Sequence, residues 1–593
     1  MALLPSTLGG HQDNAGHEPE GAIVTERRVG RRSGLTSYGD AGFSAFIRRS
    51  FAKGMGYTDA DLDRPVIGIC NSWSELHHCN SSLRTLAEAV KRGVWQAGGW
   101  PLEFPTISLG EIFISPTAML YRNLMAMDTE EMIRAQPIDG VVLLANCDKT
   151  TPAQLMGAIS ADVPAMMLTG GPMINGRWRG QDLGACTDCR RYWTEYRAGT
   201  IGERELKELE ESLFSSAGHC MVMGTASTMA SIAEALGMML PGSATVPAPD
   251  SRRIRIAEET GRRIVEVVAE DLRPSRIVTR SSIENAMRVC CAIGGSTNAV
   301  VHLAAIARRA GIDLPLDRWD EISAETPMIA SIRPTGKAQM QELNEAGGIP
   351  AVMRELRPLL HGESMTVTGR TVAENLADVP PSPRRDIVAA GDAPFAAHSG
   401  LAVLRGNLAP SGAVIKHAAA TPDLLHHRGR AIVFASIDDM TARINDPDLD
   451  VTPDHVLVLR NAGPIGGPGM PEAGMIPIPA KLLAAGVRDM VRISDARMSG
   501  TAYGTVVLHI APEAAAGGPL AAVQDGDVIE LNLDARSLTL DVDDADIARR
   551  LASLVKRDPA PGTARGYGWL YARHVLQADQ GCDFDFCAAD WSD

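Results

Sequence analysis

The sequence predicts an α/β protein: a large N-terminal α/β domain on a mainly parallel sheet, then a smaller C-terminal β-rich, barrel-like domain. Three observations carry this expectation. From about residue 65, short continuous apolar runs, PVIGIC (65–70) and DGVVLLANC (139–147), alternate with helical stretches such as SSLRTLAEAVKRGVWQAGG (81–99), the pattern of strands buried on both faces between helices. Near DVPPSPRRD (378–386), proline and charge break that pattern, which places a domain boundary between there and about residue 398. Beyond it come β-branched runs separated by Gly/Pro turns: LAVLRGNLAPSGAVIK, RAIVFAS, HVLVLRNAGP, TVVLHIAP and DVIELNLDARSLTLDV.

Taken in chain order, residues 1–33 are polar, Gly-rich and basic toward their end, and read as a mobile arm or a strip that packs on a partner subunit. The α/β domain is expected over 34–385. Its LLANC strand would deliver Cys147, Asp148 and Lys149 at a strand C-terminal edge, where open α/β sheets place their sites. GTASTMASIAEALGMML (224–240) is small and apolar nearly all round and reads as a buried helix. The β-rich domain fills 386–593, and no internal repeat is visible.

At 593 residues the chain exceeds what one hydrophobic core organises. Its 57 basic against 72 acidic residues lack the footprint of a nucleic-acid binder, so an anionic substrate has to be held by local cations or metals. No apolar run approaches the roughly 20 residues that cross a bilayer. The N-terminus has no charged region ahead of an apolar core, so it does not read as a signal peptide and a cytoplasmic protein is expected. In that reducing compartment ten cysteines point to metal binding, catalysis or burial before disulfides.

The cysteines divide by context. Cys186 and Cys189 form CTDC, a zinc or redox spacing, but the nearest second pair, Cys582 and Cys587, is distant and differently spaced; a structural role is the simpler reading, with a zinc module as the alternative. Cys290, Cys291 and Cys70 lie in apolar runs and read as core. Cys79, Cys147 and Cys220 each sit in a polar or Gly-containing turn before a helix, where a helix N-terminus suits a thiolate. Three thiolates leave an iron–sulfur cluster one ligand short, and an open iron is a Lewis acid. Taken alone, three scattered cysteines favour burial over that reading.

The motifs NCDKTTPAQLMGA (146–158), GGPM (170–173), HCMVMGTASTM (219–229), AIGGSTNAVVHL (292–303), VLRGNLAPSGAVIK (403–416), GGPGMPEAG (466–474) and ISDARMSGTAYG (493–504) resemble, in content and order, the dihydroxy-acid, sugar-acid and phosphogluconate dehydratase family. The resemblance runs from about residue 35 to about 575. It implies an iron–sulfur hydro-lyase that converts a 2,3-dihydroxy carboxylate to a 2-keto-3-deoxy acid. It further implies Cys79, Cys147 and Cys220 as cluster ligands, Glu111, Asp148 and Glu472 as magnesium ligands, Lys149 as a carbamylated lysine reaching the same magnesium, and Ser499 as the catalytic base. Consecutive residues of an extended segment point to opposite sides, so Cys147 and Asp148 are expected to face different metals, soft thiolate toward iron and hard carboxylate toward magnesium.

Glutamate at 111, in SLGEIF, stands where the branched-chain enzymes usually carry aspartate. With residues 494–520 it resembles the sugar-acid branch, whose substrates include L-arabinonate, D-xylonate and D-gluconate and whose cluster is usually 2Fe-2S; 4Fe-4S stays open. The alternatives are 2,3-dihydroxy-isovalerate dehydration and, from another class, a non-catalytic iron–sulfur protein. Relatives are homodimers or homotetramers. His77 and His78, in SELHHC, read as packed surface histidines, with a role beside the cluster or the substrate as the alternative, and His219 either bonds a cluster sulfur or fills space.

Overall fold

The computed structural model describes residues 37–554 and 560–588; the expected N-terminal arm lies outside the described residues. Four strands form a wholly parallel sheet: β1 (Val66–Asn71), β2 (Trp100–Pro105), β3 (Gly140–Ala145) and β4 (Ala165–Thr169), in the order β2-β1-β3-β4. Every residue of β1, β3 and β4 is buried, as their unbroken apolar runs require with helices on both faces. The chain leaves β1 toward β2 on one side and β3 toward β4 on the other. The carboxyl ends of β1 and β3 therefore flank the switch point of the sheet, the crevice where such folds bind ligands.

The Leu83–Gln96 helix packs on the Ser251–Ala269 helix at backbone distance. A Cβ on Gly93 would stand 1.9 Å from the Glu258 carbonyl oxygen, and one on Gly261 2.1 Å from that of Val90. The small apolar helix is buried at every residue, Thr225–Ala235, but it stops short of residue 240. Gly237 turns the chain at φ +85°, where a Cβ would press on the Met365 carbonyl oxygen. A short hairpin, β5 (Gly176–Trp178) and β6 (Gln181–Leu183), precedes the Ala185–Arg197 helix.

The C-terminal runs form a closed barrel of β7 (Ala402–Gly406), β8 (Ala409–Ile415), β9 (His426–Phe434), β10 (Val456–Leu459), β11 (Arg492–Ser494), β12 (Val506–Ala511), β13 (Val528–Asn532) and β14 (Ser537–Leu540), ordered β10-β11-β12-β8-β7-β14-β13-β9. Strands β9 to β12 run parallel. Val456 and Val458 of β10 join the cluster of Leu404, Ile493 and Leu538, while Leu457 and Leu459 pack with Met440 and Leu482 on the other face, the two-sided burial of a parallel strand. After the barrel the chain returns to the α/β part: Arg122 donates to the carbonyls of Gly581 and Cys582 at 2.8 and 2.9 Å, and Arg309 pairs with Asp583 at 2.6 Å. Among the described residues no helix is long and apolar enough to cross a membrane.

Candidate active site

The loops leaving β1 and β3 carry Cys79 and Cys147, and the loop leaving β4 meets Cys220. Pro172 pairs with His219 in an isolated bridge, with the His219 N–H donating to the Gly171 carbonyl at 3.1 Å. Asn146 ties the three segments together. Its side-chain amide donates to the carbonyls of Cys79 at 2.8 Å and Gly171 at 3.0 Å. The Cys79 thiol lies near enough to those of Cys147 and Cys220 for their charges to be felt. Cys147, then burial and the neighbouring anions, push the Cys79 thiol well up; Cys186 and burial do the same to Cys220. Such crowding disfavours thiolates unless a cation joins them.

Cys147 and Asp148 do not face opposite ways. The strand ends at Ala145, and Thr150 turns the chain at once into the Thr150–Ala161 helix, its hydroxyl oxygen accepting the Cys147 N–H at 2.9 Å. In that turn Cys147 Sγ stands 3.4 Å from Asp148 Oδ1. The expectation of opposed side chains fails because it assumed an extended backbone.

Beyond the thiols lies a buried charge network. The fully buried Lys149 ammonium donates to Asp148, reaches Glu111 Oε2 at 3.1 Å and stands 3.9 Å from Glu472. Arg497, also fully buried, lies 3.2 Å from Glu472 and donates to the Thr117 hydroxyl at 3.3 Å, which donates onward to Glu111 at 2.6 Å. Burial opposes ionisation of Glu111, but Lys149, Arg497 and Thr117 outweigh it and hold the carboxyl at about 2. Burial raises Glu472 despite the same cations. For Lys149 burial is outweighed by Asp148 and Glu111, which keep it an ammonium. Among the described residues no three Cys, His, Asp or Glu groups stand in a metal-holding arrangement; the carboxylates gather round Lys149 instead.

The barrel supplies the opposite wall. Glu472 follows β10 and Arg497 and Ser499 follow β11, so the carboxyl ends of two parallel strands deliver them. The Ser499 hydroxyl is 2.9 Å from that of Thr501, and its loop is pinned by Asn298, whose amide donates to the Met498 carbonyl at 3.1 Å and to Glu472 at 3.3 Å. A Cβ on Gly500 would collide with Ser296 and the Thr225 N–H, so the loop rests on the ends of two buried helices. Asn298, Arg497, Thr117 and Asn146 escaped the sequence reading. All but Thr117 lie inside the quoted motifs, where GGSTN suggested only a helix cap.

The remaining residues fall as follows. Cys70, Cys290 and Cys291 are core. His77 is not a surface histidine: it is buried, its Nδ1 has no partner, and a Cβ on Gly110 would fall 2.4 Å from that atom, so Gly110 lets the Cys79 loop lie against the Glu111 loop. His78 Nε2 is 3.8 Å from Cys79 Sγ. His219 is fully buried; its Nδ1 lies 3.0 Å from the Cys220 carbonyl oxygen and its Nε2 has no partner. The CTDC pair is not joined by Cys582, which packs on Met470; Cys186 lies instead near enough to Cys220 for its charge to be felt.

Comparison with known proteins places the chain in a family. The family model described as dihydroxy-acid/6-phosphogluconate dehydratase N-terminal matches residues 64–375, and its C-terminal counterpart matches 386–582. The chain is 52% identical over 554 residues to an L-arabonate dehydratase of Azospirillum brasilense, covering 92% of this chain and 94% of that protein. It is 50% identical over 549 residues to a 6-deoxy-6-sulfo-D-gluconate dehydratase of Pseudomonas putida, with coverages of 92% and 94%. A dihydroxy-acid dehydratase of Moorella thermoacetica is 41% identical over 548 residues, with coverages of 91% and 98%. The chain belongs to the dihydroxy-acid/6-phosphogluconate dehydratase family.

Proposed function

We propose that this hydro-lyase removes water from a sugar acid, an aldonate such as L-arabinonate, D-xylonate or D-gluconate, to give the 2-keto-3-deoxy acid, with a magnesium ion and a 2Fe-2S cluster as cofactors. The observation that carries the reading is the meeting of Glu111, Asp148, Lys149 and Glu472 beside three thiols in one crevice. The sugar-acid relatives, at 52% and 50% identity against 41% for the dihydroxy-acid dehydratase, favour an aldonate.

The donor sets fit both groups. Cys79, Cys147 and Cys220 would hold the cluster, soft sulfur for iron, with 4Fe-4S the other nuclearity three cysteines accept. Three carboxylates against two cations leave the Lys149 pocket with one net negative charge. Carbamylation would turn the Lys149 ammonium into an anion and deepen that charge by two, which one divalent ion restores. Glu111, Asp148, Glu472 and modified Lys149 would then present hard oxygen ligands suited to magnesium. When bound, the two groups would supply Lewis acidity to the substrate carboxylate and hydroxyls.

The chain's own residues do the rest. Ser499 Oγ would take the C2 proton as its base. A serine hydroxyl is a poor base unless positive charge stabilises its alkoxide, and the Arg497 guanidinium is carried two residues before it. Asn298 holds the Met498 carbonyl and Glu472 in register, so the base and a carboxylate wall move as one unit. Burial keeps water from the developing charge.

The test is 2-keto acid formation by anaerobically purified, magnesium-supplemented protein across L-arabinonate, D-xylonate, D-gluconate, 6-deoxy-6-sulfo-D-gluconate and 2,3-dihydroxy-isovalerate. A sugar acid is expected to give the highest kcat/KM; turnover of the branched-chain acid alone overturns the substrate assignment. Ser499→Ala should lower kcat about a hundredfold or more with iron content unchanged, and near-full activity would remove Ser499 from that role.

A further inference from the structure

One buried cation lies outside the chemistry above. Lys416 ends the VLRGNLAPSGAVIK motif where β8 leaves the barrel, and it is 3% exposed. Its ammonium donates to the Gly294 carbonyl at 2.8 Å, and among the described residues no carboxylate pairs with it. Cys290, beside it, is a buried thiol whose ionisation burial disfavours, so it supplies no anion. Burial accordingly lowers the Lys416 ammonium from 10.5 to about 8. Gly294 lies just past the Arg280–Ala292 helix, its N–H donating to the Cys291 carbonyl at 3.2 Å, and a cation there meets the negative end of the helix dipole. That attraction offsets only part of taking an ammonium out of water, and a half-exposed lysine would cap the same helix end at less cost. A residue kept against stability points to function.

The turn that Lys416 opens and the loop it reaches both touch the Ser499 loop. Three residues on, the Ala419 carbonyl accepts the Gly504 N–H at 2.7 Å, at the far end of ISDARMSGTAYG. From the other side, Gly294 leads within two residues to Ser296, whose N–H donates to the Thr228 hydroxyl at 3.0 Å and whose own hydroxyl lies 3.0 Å from that of Thr225. So placed, Ser296 is the floor under Gly500, where an added Cβ would stand 2.7 Å from its Oγ. Gly294 adopts φ +61°, and a Cβ there would stand 2.5 Å from the Thr335 hydroxyl, so glycine is what lets this carbonyl turn toward Lys416.

We propose that Lys416 is a positioning residue for the Ser499 base: by tying the Gly294 carbonyl to the barrel turn at 416–419, it fixes the height at which the 499–504 loop carries the serine hydroxyl into the crevice. The inference rests on Ser499 being the base. Lys416 acts through the loop, since its ammonium bonds neither Ser499 nor any of Glu111, Asp148, Lys149 and Glu472. Without that ammonium the Gly294 carbonyl loses its side-chain donor and the floor under Gly500 is free to shift. A displacement of roughly an ångström costs a reacting group about a hundredfold in rate.

The experiment compares wild type, Lys416→Met, Ser499→Ala and the double variant as full-length, cofactor-loaded enzymes on the aldonate that wild type turns over fastest. It reads kcat, KM, iron content, Tm and amide hydrogen exchange across 493–504. Lys416→Met is expected to lower kcat about tenfold or more at unchanged KM and iron content. Its Tm should stay at or above that of wild type, because methionine fills the lysine's volume and removes an uncompensated buried charge. Exchange should quicken at 499–504, and adding Lys416→Met to Ser499→Ala should cost no further rate. A kcat within about twofold of wild type overturns the proposal. So does a Tm that falls with kcat, or a chain that does not fold, which is what a plain helix cap predicts. Losses that multiply in the double variant also overturn it, since Lys416 then acts elsewhere than on Ser499. A near wild-type Ser499→Ala enzyme removes the base assignment and this proposal together, whereas a near wild-type Lys416→Met enzyme beside a crippled Ser499→Ala one removes the positioning role alone.

Discussion

Asn146 does more for the site than its chemistry advertises. One side-chain amide spans the Cys79 and Gly171 carbonyls, and Gly171 also receives the His219 N–H, so the segments bearing all three thiols hang from one residue. Asn146→Ala leaves the Cys79 carbonyl without this donor and Gly171 with the His219 N–H alone, at a cost of about 1–3 kcal/mol. Iron bound per chain after anaerobic reconstitution is expected to fall together with the melting temperature; full loading at an unchanged Tm would show that the loops hold themselves. By residue type alone the three cysteines favoured burial; the thiols and carboxylates were singled out through the motifs that carry the family resemblance. Asn146, Asn298 and Thr117 were not, because an amide or hydroxyl matters only through the groups it meets, and those lie far off in the chain: Asn298 bonds Glu472, and Thr117 bonds Arg497. The Cys147–Asp148 pair was misjudged for a local reason: the strand ends at Ala145 and the chain turns into the helix that starts at Thr150.

At the scale of elements, the strands were the legible part, since PVIGIC and DGVVLLANC have the uninterrupted burial that only a covered parallel sheet needs. Helix contacts were less so. Gly93 inside SSLRTLAEAVKRGVWQAGG looks like a weak point, worth roughly 1 kcal/mol against helix formation, yet it is where the Leu83–Gln96 and Ser251–Ala269 helices touch backbone to backbone. Gly93→Ala should therefore destabilise by about 1–3 kcal/mol as the helices part, read as a lower Tm, whereas a rise in Tm would mean that helix propensity dominates. The Thr225–Ala235 helix carries a second test in Glu234, buried with its carboxylate accepting the Gly242 and Ala244 N–H groups at 2.6 and 2.7 Å. Burial outweighs these bonds and raises its carboxyl from 4.5 to about 7. Between those values the folded chain keeps a proton that the unfolded chain releases, so this contribution to stability is full below about pH 4.5 and is lost as pH climbs to about 7, on the order of 3 kcal/mol in all. Glu513 in the barrel, also raised to about 7 by burial and by Asp495, adds a parallel slope. Glu234→Gln is thus expected to lose less Tm, or gain more, than wild type as pH rises from about 5 to about 8; an unaltered pH dependence would mean that Glu234 ionises freely in the fold.

Across the whole molecule, the site exists only where two differently built parts meet. The parallel sheet supplies the thiols, Asp148 and Lys149, while the barrel supplies Glu472, Arg497 and Ser499, so any loosening between the parts opens the crevice. The last described stretch works against this. From the far side of the barrel it returns to the α/β part, where Asp583 and Arg309, both essentially unexposed, meet through two bonds of 2.6 and 3.1 Å, and Arg309 extends to Glu130 at 3.2 Å. Arg122, bonded to the Gly581 and Cys582 carbonyls, contacts His302 Nδ1 at 3.2 Å, on the helix that begins at Asn298. The C-terminal segment thus braces the same helix that pins the Ser499 loop, a link no local pattern in the sequence could reveal because its partners are 274 residues apart. Asp583→Ala removes one partner of a buried pair and leaves the Arg309 charge compensated only by Glu130, a loss of about 3–5 kcal/mol. Limited proteolysis is expected to cut the segment at 560–588 before the barrel, with kcat falling as the Asn298 helix loosens. Equal protection of that segment in variant and wild type would show that the barrel and the sheet hold together without it.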